Sequence, residues 1–183
     1  MYREKQGGLK LKTIEGDSTR PTKDMVKEAL FSMLQNYIAD SVVLDLFAGS
    51  GAIGIEALSR GASECYFCDS NKECIKVIKE NLENCRFTDF SKVLLDDYTN
   101  ALEKVRNIRF DIIYIDPPYN KGLGLKSIEI ISSYDLLKKN GVLVYETDEI
   151  ETSPDIIGIF EKFKSKKYGR NILNFYMTKG ELA

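Results

Sequence analysis

The chain has 183 residues, 43% hydrophobic and 30% charged, with a net charge of −2. That is globular composition with room for a sizeable core, and it excludes a disordered or fibrous chain and a uniformly basic nucleic-acid coat. The sequence has no histidine, which removes Ser-His-Asp and Cys-His nucleophilic catalysis and most zinc enzymes. No stretch approaches the ~20 apolar residues of a membrane span. The start, Met1-Tyr2-Arg3-Glu4-Lys5, lacks the apolar centre of a signal peptide. A cytoplasmic protein with no membrane partner is expected.

Residues 1–22 form a polar lead-in, basic in places, with Thr22 as a candidate helix cap. Val26, Ala29, Leu30, Met33, Leu34 and Tyr37 then recur at helical spacing. From about residue 40 strand and helix alternate: strand 42–46, helix 51–59, strand 65–68, helix 72–82, strand 93–95, short helix 99–105 and strand 110–115. A helix over 126–137 follows, stopped by Gly141, and then strand 142–145. Two last strands, 163–168 and 172–177, are joined at Gly169. The early strands are continuous apolar runs, as in strands buried on both faces. The expected fold is α/β, a mostly parallel, doubly wound sheet of about seven strands with an antiparallel C-terminal hairpin. Residues 1–38 read as an N-terminal extension with its helix, and 39–183 as the catalytic domain.

Cys65 and Cys68 show the spacing of half a zinc site, but they sit in a strand, Glu64-Cys65-Tyr66-Phe67-Cys68-Asp69. Residues three apart on a strand face opposite sides, so the thiols diverge. No second pair at that spacing follows, and the cysteines read as buried small hydrophobes with no metal.

Between the first strand and its helix lies Asp45-Leu46-Phe47-Ala48-Gly49-Ser50-Gly51-Ala52-Ile53-Gly54. The glycines match G-x-G-x-x-G in its strand-turn-helix setting, and Asp69 ends the second strand. An acid there can accept both ribose hydroxyls of an adenosine. Phe47, Gly49 and Gly51 are expected to line the cofactor. The glycine pattern alone is shared by NAD and S-adenosylmethionine (SAM) sites. Asp45 suits the amino group of a methionine moiety better than a pyrophosphate. Asp97, after the third strand, is a candidate acceptor for the adenine amino group. Its plain alternative is a solvated helix cap.

The apolar strand Asp111-Ile112-Ile113-Tyr114-Ile115 runs directly into Asp116-Pro117-Pro118-Tyr119. Two prolines remove two N–H donors and fix φ. What remains is a cluster of acceptors followed by an aromatic ring. An exocyclic amino group on a base is a poor nucleophile, because its lone pair is delocalised. Asp116 and the Pro117 carbonyl can accept its hydrogens and aim the lone pair outward, with Tyr119 stacked on the base. Positioning and electrostatics then supply the acceleration, without histidine or metal.

These motifs resemble the Rossmann-like class I SAM-dependent methyltransferases. The lead-in is more specific. Lys10-Leu11-Lys12-Thr13, Gly16 and Thr19-Arg20-Pro21-Thr22-x-Asp24-x-Val26-Lys27-Glu28-Ala29-Leu30-Phe31 resemble the RsmD family. So does the tail, Tyr168-Gly169-Arg170-Asn171, and the likeness runs from about residue 7 to Met177. The resemblance implies methylation of N2 of one guanine in 16S ribosomal RNA, with S-adenosylhomocysteine as by-product. It implies that Asp116, Pro117 and Tyr119 hold the guanine and that Asp45, Gly49, Gly51, Asp69 and Asp97 line the SAM site. Arg20 and Thr22, with Lys23 beside them, would then lie near the RNA entrance. The assembling or assembled small ribosomal subunit is the implied partner, and a monomer is expected. The chain departs from the family pattern at Leu9 and Met25, where arginines are usual; both changes remove phosphate contacts.

Basic residues crowd both ends. The first thirty positions hold Arg3, Lys5, Lys10, Lys12, Arg20, Lys23 and Lys27, and the tail holds Lys162, Lys164, Lys166, Lys167 and Arg170. Strand alternation would put Lys162, Lys164 and Lys166 on one face. An RNA-contacting rim on an acidic body is the functional reading, and two solvated faces the plain one. No segment resembles the target-recognition domain of a DNA amino-methyltransferase, which favours RNA. Amino-methylation of adenine or cytosine, or of a protein glutamine, uses the same acceptor chemistry. A non-catalytic SAM-binding assembly factor and an NAD-dependent dehydrogenase are weaker readings. Glu146, after the fifth strand, has no assigned role.

Overall fold

The computed structural model describes residues 11–13, 21–118 and 121–181. Arg20 and Tyr119 lie outside the described residues, as do the side chains of Thr22 and Lys23.

Helix α1 spans Pro21–Leu34. Proline opens it, at a position where a missing N–H costs nothing. Thr22 is therefore inside the first turn and is not the cap. The alternating units follow: β1 Val42–Asp45, α2 Ala52–Ser59, β2 Glu64–Asp69, α3 Lys72–Asn84, β3 Ser91–Leu95, α4 Tyr98–Lys104, β4 Phe110–Ile115, α5 Leu123–Ser133 and β5 Leu137–Thr147. The chain closes with β6 Ile156–Ile157, β7 Phe160–Tyr168 and β8 Asn171–Thr178.

The eight strands form one sheet in the order β3-β2-β1-β4-β5-β8-β7-β6. β1 to β5 pair in parallel. The last three pair antiparallel, with β8 inserted beside β5. The eighth strand, beyond the seven expected, is the two-residue β6. The order reverses between β1 and β4, so the crevice at their carboxyl ends is the natural ligand site of such a sheet.

Two cores sandwich the sheet. One lies under α1, α2 and α3 and contains Leu30, Phe31, Leu58 and Ile78. The other lies under α4 and α5 and contains Leu102, Ile128 and Ile131. Cys65 enters the first and Cys68 the second, so their thiols point apart.

Two further sequence expectations fail. The helix expected at 126–137 is Leu123–Ser133, and Gly141 lies inside β5. Asp135 ends the helix in a left-handed conformation, φ 52°. Leu136 then donates back to the Ile131 carbonyl at 3.1 Å, a closure more often built on glycine. Leu137 already pairs with Phe110 in the sheet, and Val142 pairs with Ile112, so the residues between bulge outward. The lysines of β7 also do not share one face. A bulge at Phe163 sets Lys162 opposite Tyr176 but Lys164 opposite Phe175. Lys162 turns inward, with Nζ 3.1 Å from Asp155 and 6.0 Å from the centre of the Tyr176 ring. Lys164 and Lys166 remain exposed.

Candidate active site

Two cavities open at the carboxyl ends of β1, β2 and β4, and they share Phe47, Gly49, Asp116 and Pro118. The first, of about 390 Å3, is lined by Asp45, Ser50, Tyr114, Pro117, Glu146 and Asn171, with Asp24 and Lys27 of α1. The second, of about 530 Å3, is lined by Asp69, Asn71, Asp96, Asp97, Tyr98 and Lys121. The expected site residues Asp45, Phe47, Gly49, Asp69, Asp97, Asp116 and Pro117 are thus gathered along one continuous crevice.

The glycine loop is built by its backbone. Gly51 stands at φ 79°, a left-handed conformation that turns the chain into α2. A side chain at Gly54 would meet Phe67 at 2.3 Å and the Cys65 sulfur at 2.6 Å. Glycine there lets α2 lie directly on β2. The Gly49 N–H donates to Asp69 Oδ2 at 2.9 Å, and the Asn71 N–H to Asp69 Oδ1 at 2.8 Å. Asp69 therefore ties the loop to the end of β2. Each of its oxygens has a second lone pair, and the residue lines the larger cavity.

Asp45 ends β1 and is 1% exposed. The Gly54 N–H donates to its Oδ2 at 3.1 Å. Among the described residues no cation pairs with it. Burial pushes its carboxyl from 3.8 up to about 7, and the charge of Asp69 adds to that. The Gly54 hydrogen bond pulls the other way without prevailing. An opposite charge brought beside it would favour the ionised form.

Asp97 caps α4, accepting from the N–H groups of Thr99 at 2.8 Å and Asn100 at 3.1 Å. The Thr99 hydroxyl also donates to it, as does the Asn100 amide at 2.6 Å. The Thr99 hydroxyl bond, above all, holds its carboxyl below the ordinary carboxylate value. The cap reading of Asp97 is correct, and its place on the cavity wall leaves room for the other.

The floor of the first cavity holds a group that sequence reasoning left without a role. Glu146, 4% exposed, accepts from the Tyr114 hydroxyl on one oxygen and from the Asn171 amide on the other. Burial first, then the charges of Glu146 and Asp116, keep the Tyr114 phenol well above its ordinary value, so it remains a donor. Tyr114 reads as one more apolar strand residue in sequence. Asn171 reads as the residue after a turn. Only the pairing of β8 with β5 brings it to the crevice. Among the described residues no group of three or more acidic, cysteine or histidine side chains is arranged to hold a metal.

The family described as Conserved hypothetical protein 95 matches residues 4–177. The chain belongs to this family. A Bacillus subtilis relative, "Putative rRNA methyltransferase YlbH", is 37% identical over 175 residues, covering 94% of this chain and 95% of the relative. The Escherichia coli K12 protein "Ribosomal RNA small subunit methyltransferase D" is 28% identical over 175 residues, covering 95% and 87%. A solved structure, "Putative methyltransferase yhhF" from Escherichia coli, superposes with a TM-score of 0.83 at 27% identity, covering 93% of this chain and 92% of that one. The family is therefore one of ribosomal RNA methyltransferases by the names its members carry, in agreement with the RsmD-like lead-in and the Rossmann-like fold. No described helix is long and apolar enough to cross a membrane.

Proposed function

We propose that this chain transfers a methyl group from SAM to the exocyclic N2 of one guanine in 16S ribosomal RNA, within the small ribosomal subunit. The observation that carries the reading is the meeting of the two cavities at Asp116 and Pro118, with the buried Asp45 carboxylate beside the junction. When bound, SAM supplies an electrophilic methyl group and departs as S-adenosylhomocysteine. Asp69 holds the ribose hydroxyls, and Asp97 faces the adenine amino group. Asp45 takes the ammonium of the methionine part, and the N-terminus of α2 takes its carboxylate. Phe47 and the glycine loop wall the cofactor off from water.

Asp116 and the Pro117 carbonyl accept the two N2 hydrogens, draw the lone pair out of the ring system and point it at the junction. Tyr119 stacks on the base. Asp116 receives the proton that N2 loses once the new bond has formed. The basic lead-in, with Arg20, Thr22 and Lys23, meets the RNA backbone. The reading takes the protein to act as a monomer in the cytoplasm.

The test uses tritiated SAM with small subunits from cells lacking this gene, followed by digestion of the RNA to nucleosides. Label in N2-methylguanosine at one position is expected. Label in methyladenosine or methylcytidine would keep the Asp116 chemistry and discard the guanine assignment. Label in protein alone would discard RNA as the substrate.

A further inference from the structure

We propose that the Glu146 carboxylate stabilises the positive charge that passes from sulfur to the base during methyl transfer. The inference rests on the reading above and adds an electrostatic role for one residue. The strand register sets its place: Ile115 pairs with Tyr145, so Asp116 and Glu146 are the next residues on neighbouring strands. Such strands run about 4.8 Å apart, and both residues line the first cavity. Glu146 is buried, and its two oxygens accept from the Tyr114 hydroxyl and the Asn171 amide. Both donors are neutral. They hold the carboxylate in place without cancelling its charge. On the described part of the cavity wall the cation is Lys27 of α1, whose Nζ lies 3.8 Å from Glu56. Asp24 of α1, Asp45 of β1 and Asp116 line the same space. Burying a charge without a paired cation is costly. A positive charge brought near it offsets part of that cost.

Methyl transfer moves charge as well as carbon. The N2 lone pair forms the new N–CH3 bond as the S–CH3 bond breaks, and the electron pair of the broken bond stays on sulfur. Sulfur is left neutral, and N2 is positive until its proton passes to Asp116. In the sheet order β2-β1-β4-β5 the acids of the cofactor side, Asp69 and Asp45, end β2 and β1. Asp116 follows β4, and Glu146 lies near the end of β5. The charge therefore moves toward Glu146. A fixed negative charge ahead of it favours the transition state over the ground state. Unit charges about 7–10 Å apart, at an effective dielectric constant of about 20, attract strongly enough for an effect of about ten- to fiftyfold on binding. The rate feels only the change in that attraction along the reaction.

The test reads charge separately from chemistry. S-adenosylhomocysteine is neutral at sulfur, whereas sinefungin carries an ammonium group where the methyl group would be. Calorimetry compares the two ligands on wild type, Glu146→Gln and Tyr114→Phe, and transfer from tritiated SAM to small subunits gives kcat. Wild type should favour sinefungin by at least about tenfold. Glu146→Gln keeps the size of the side chain and removes its charge. Its preference for sinefungin should fall about ten- to fiftyfold below that of wild type, with S-adenosylhomocysteine bound nearly as before. Its kcat should fall about three- to tenfold. Tyr114→Phe keeps the carboxylate and should keep the preference.

If Glu146→Gln keeps the wild-type preference, or loses affinity equally for both ligands, Glu146 only holds the shape of the cavity and the inference fails. An unchanged kcat also overturns it. Should Glu146→Gln not fold, wild type and Tyr114→Phe decide. No preference in the wild type, or a preference lost in Tyr114→Phe, refutes the proposal. Wild-type label in a base other than guanine would overturn the guanine reading alone, since the affinity ratios do not depend on the base.

Discussion

Asp45 gives the sharpest quantitative expectation, because its charge is opposed by burial and answered by no described cation. Its carboxyl titrates near 7 in the folded chain and near 3.8 when exposed. Between those values the unfolded chain has released the proton and the folded chain has kept it. Stability therefore falls as pH rises through that window, at about 1.4 kcal/mol per pH unit. Relative to Asp45→Asn, the wild type should lose about 3 kcal/mol between pH 4 and pH 7 and less than about 1 kcal/mol above it. Denaturant titrations of the two proteins at each pH measure the difference directly. A cationic ligand group can use Asp45 only once that proton has gone. At pH 6, SAM binding should release about 0.9 proton, seen by calorimetry in two buffers of unlike ionisation enthalpy. SAM affinity should fall about tenfold per pH unit below 7. Asp45→Asn should bind SAM weakly and release no proton. Tight binding by the wild type at pH 6 without proton release would refute the argument, since Asp45 would then be ionised already or turned away from the ammonium.

Asp116→Ala should reduce methyl transfer about a hundred- to a thousandfold while SAM affinity, measured by calorimetry, stays nearly unchanged. A large loss of SAM affinity would move Asp116 to the cofactor. Gly54→Ala should destabilise the fold by about 3 kcal/mol, because a methyl group there collides with two buried side chains of β2. A melting temperature lower by roughly 10 °C checks it, and an unchanged one would mean that β2 yields. Asp97→Ala should cost about 1 kcal/mol through loss of the α4 cap, whereas Asp97→Asn should keep the cap and the stability. If neither substitution weakens SAM binding, Asp97 is a cap and nothing else.

The parts of this fold that were legible in sequence are those where local pattern and tertiary setting agree. The buried strands Val42–Asp45 and Phe110–Ile115 are apolar because both faces are covered. The loop between Asp45 and Gly54 was readable because its glycines answer to backbone geometry. The end of α5 was not. Leu136 and Leu137 continue the helical period, and the break is made by Asp135, a residue that enters left-handed space without being glycine. The facing of the β7 lysines was lost for a similar reason, since one inserted residue at Phe163 inverts everything before it. Of the site, the residues at strand ends within one βα unit were readable. Tyr114, Glu146 and Asn171 were not, because their meeting depends on β4, β5 and β8 lying side by side, and no local signal encodes those pairings.

Asn81 of α3, 1% exposed, carries a consequence for how ligands act on one another. Its amide nitrogen donates to the carbonyls of Ser50, in the glycine loop, and of Lys12, in the lead-in, each at 3.0 Å. Its oxygen accepts the Lys12 N–H at 2.8 Å. One side chain thus clamps together the loop against which a cofactor would sit and the segment that precedes α1. Thr13 and Ser50 reach the same cavity wall. Ordering either segment spares the other part of its entropic cost, and such an effect is reciprocal by thermodynamic necessity. Cofactor and RNA would then each tighten the other's binding by one common factor, and replacing Asn81 would abolish that cooperativity while leaving both contact surfaces in place.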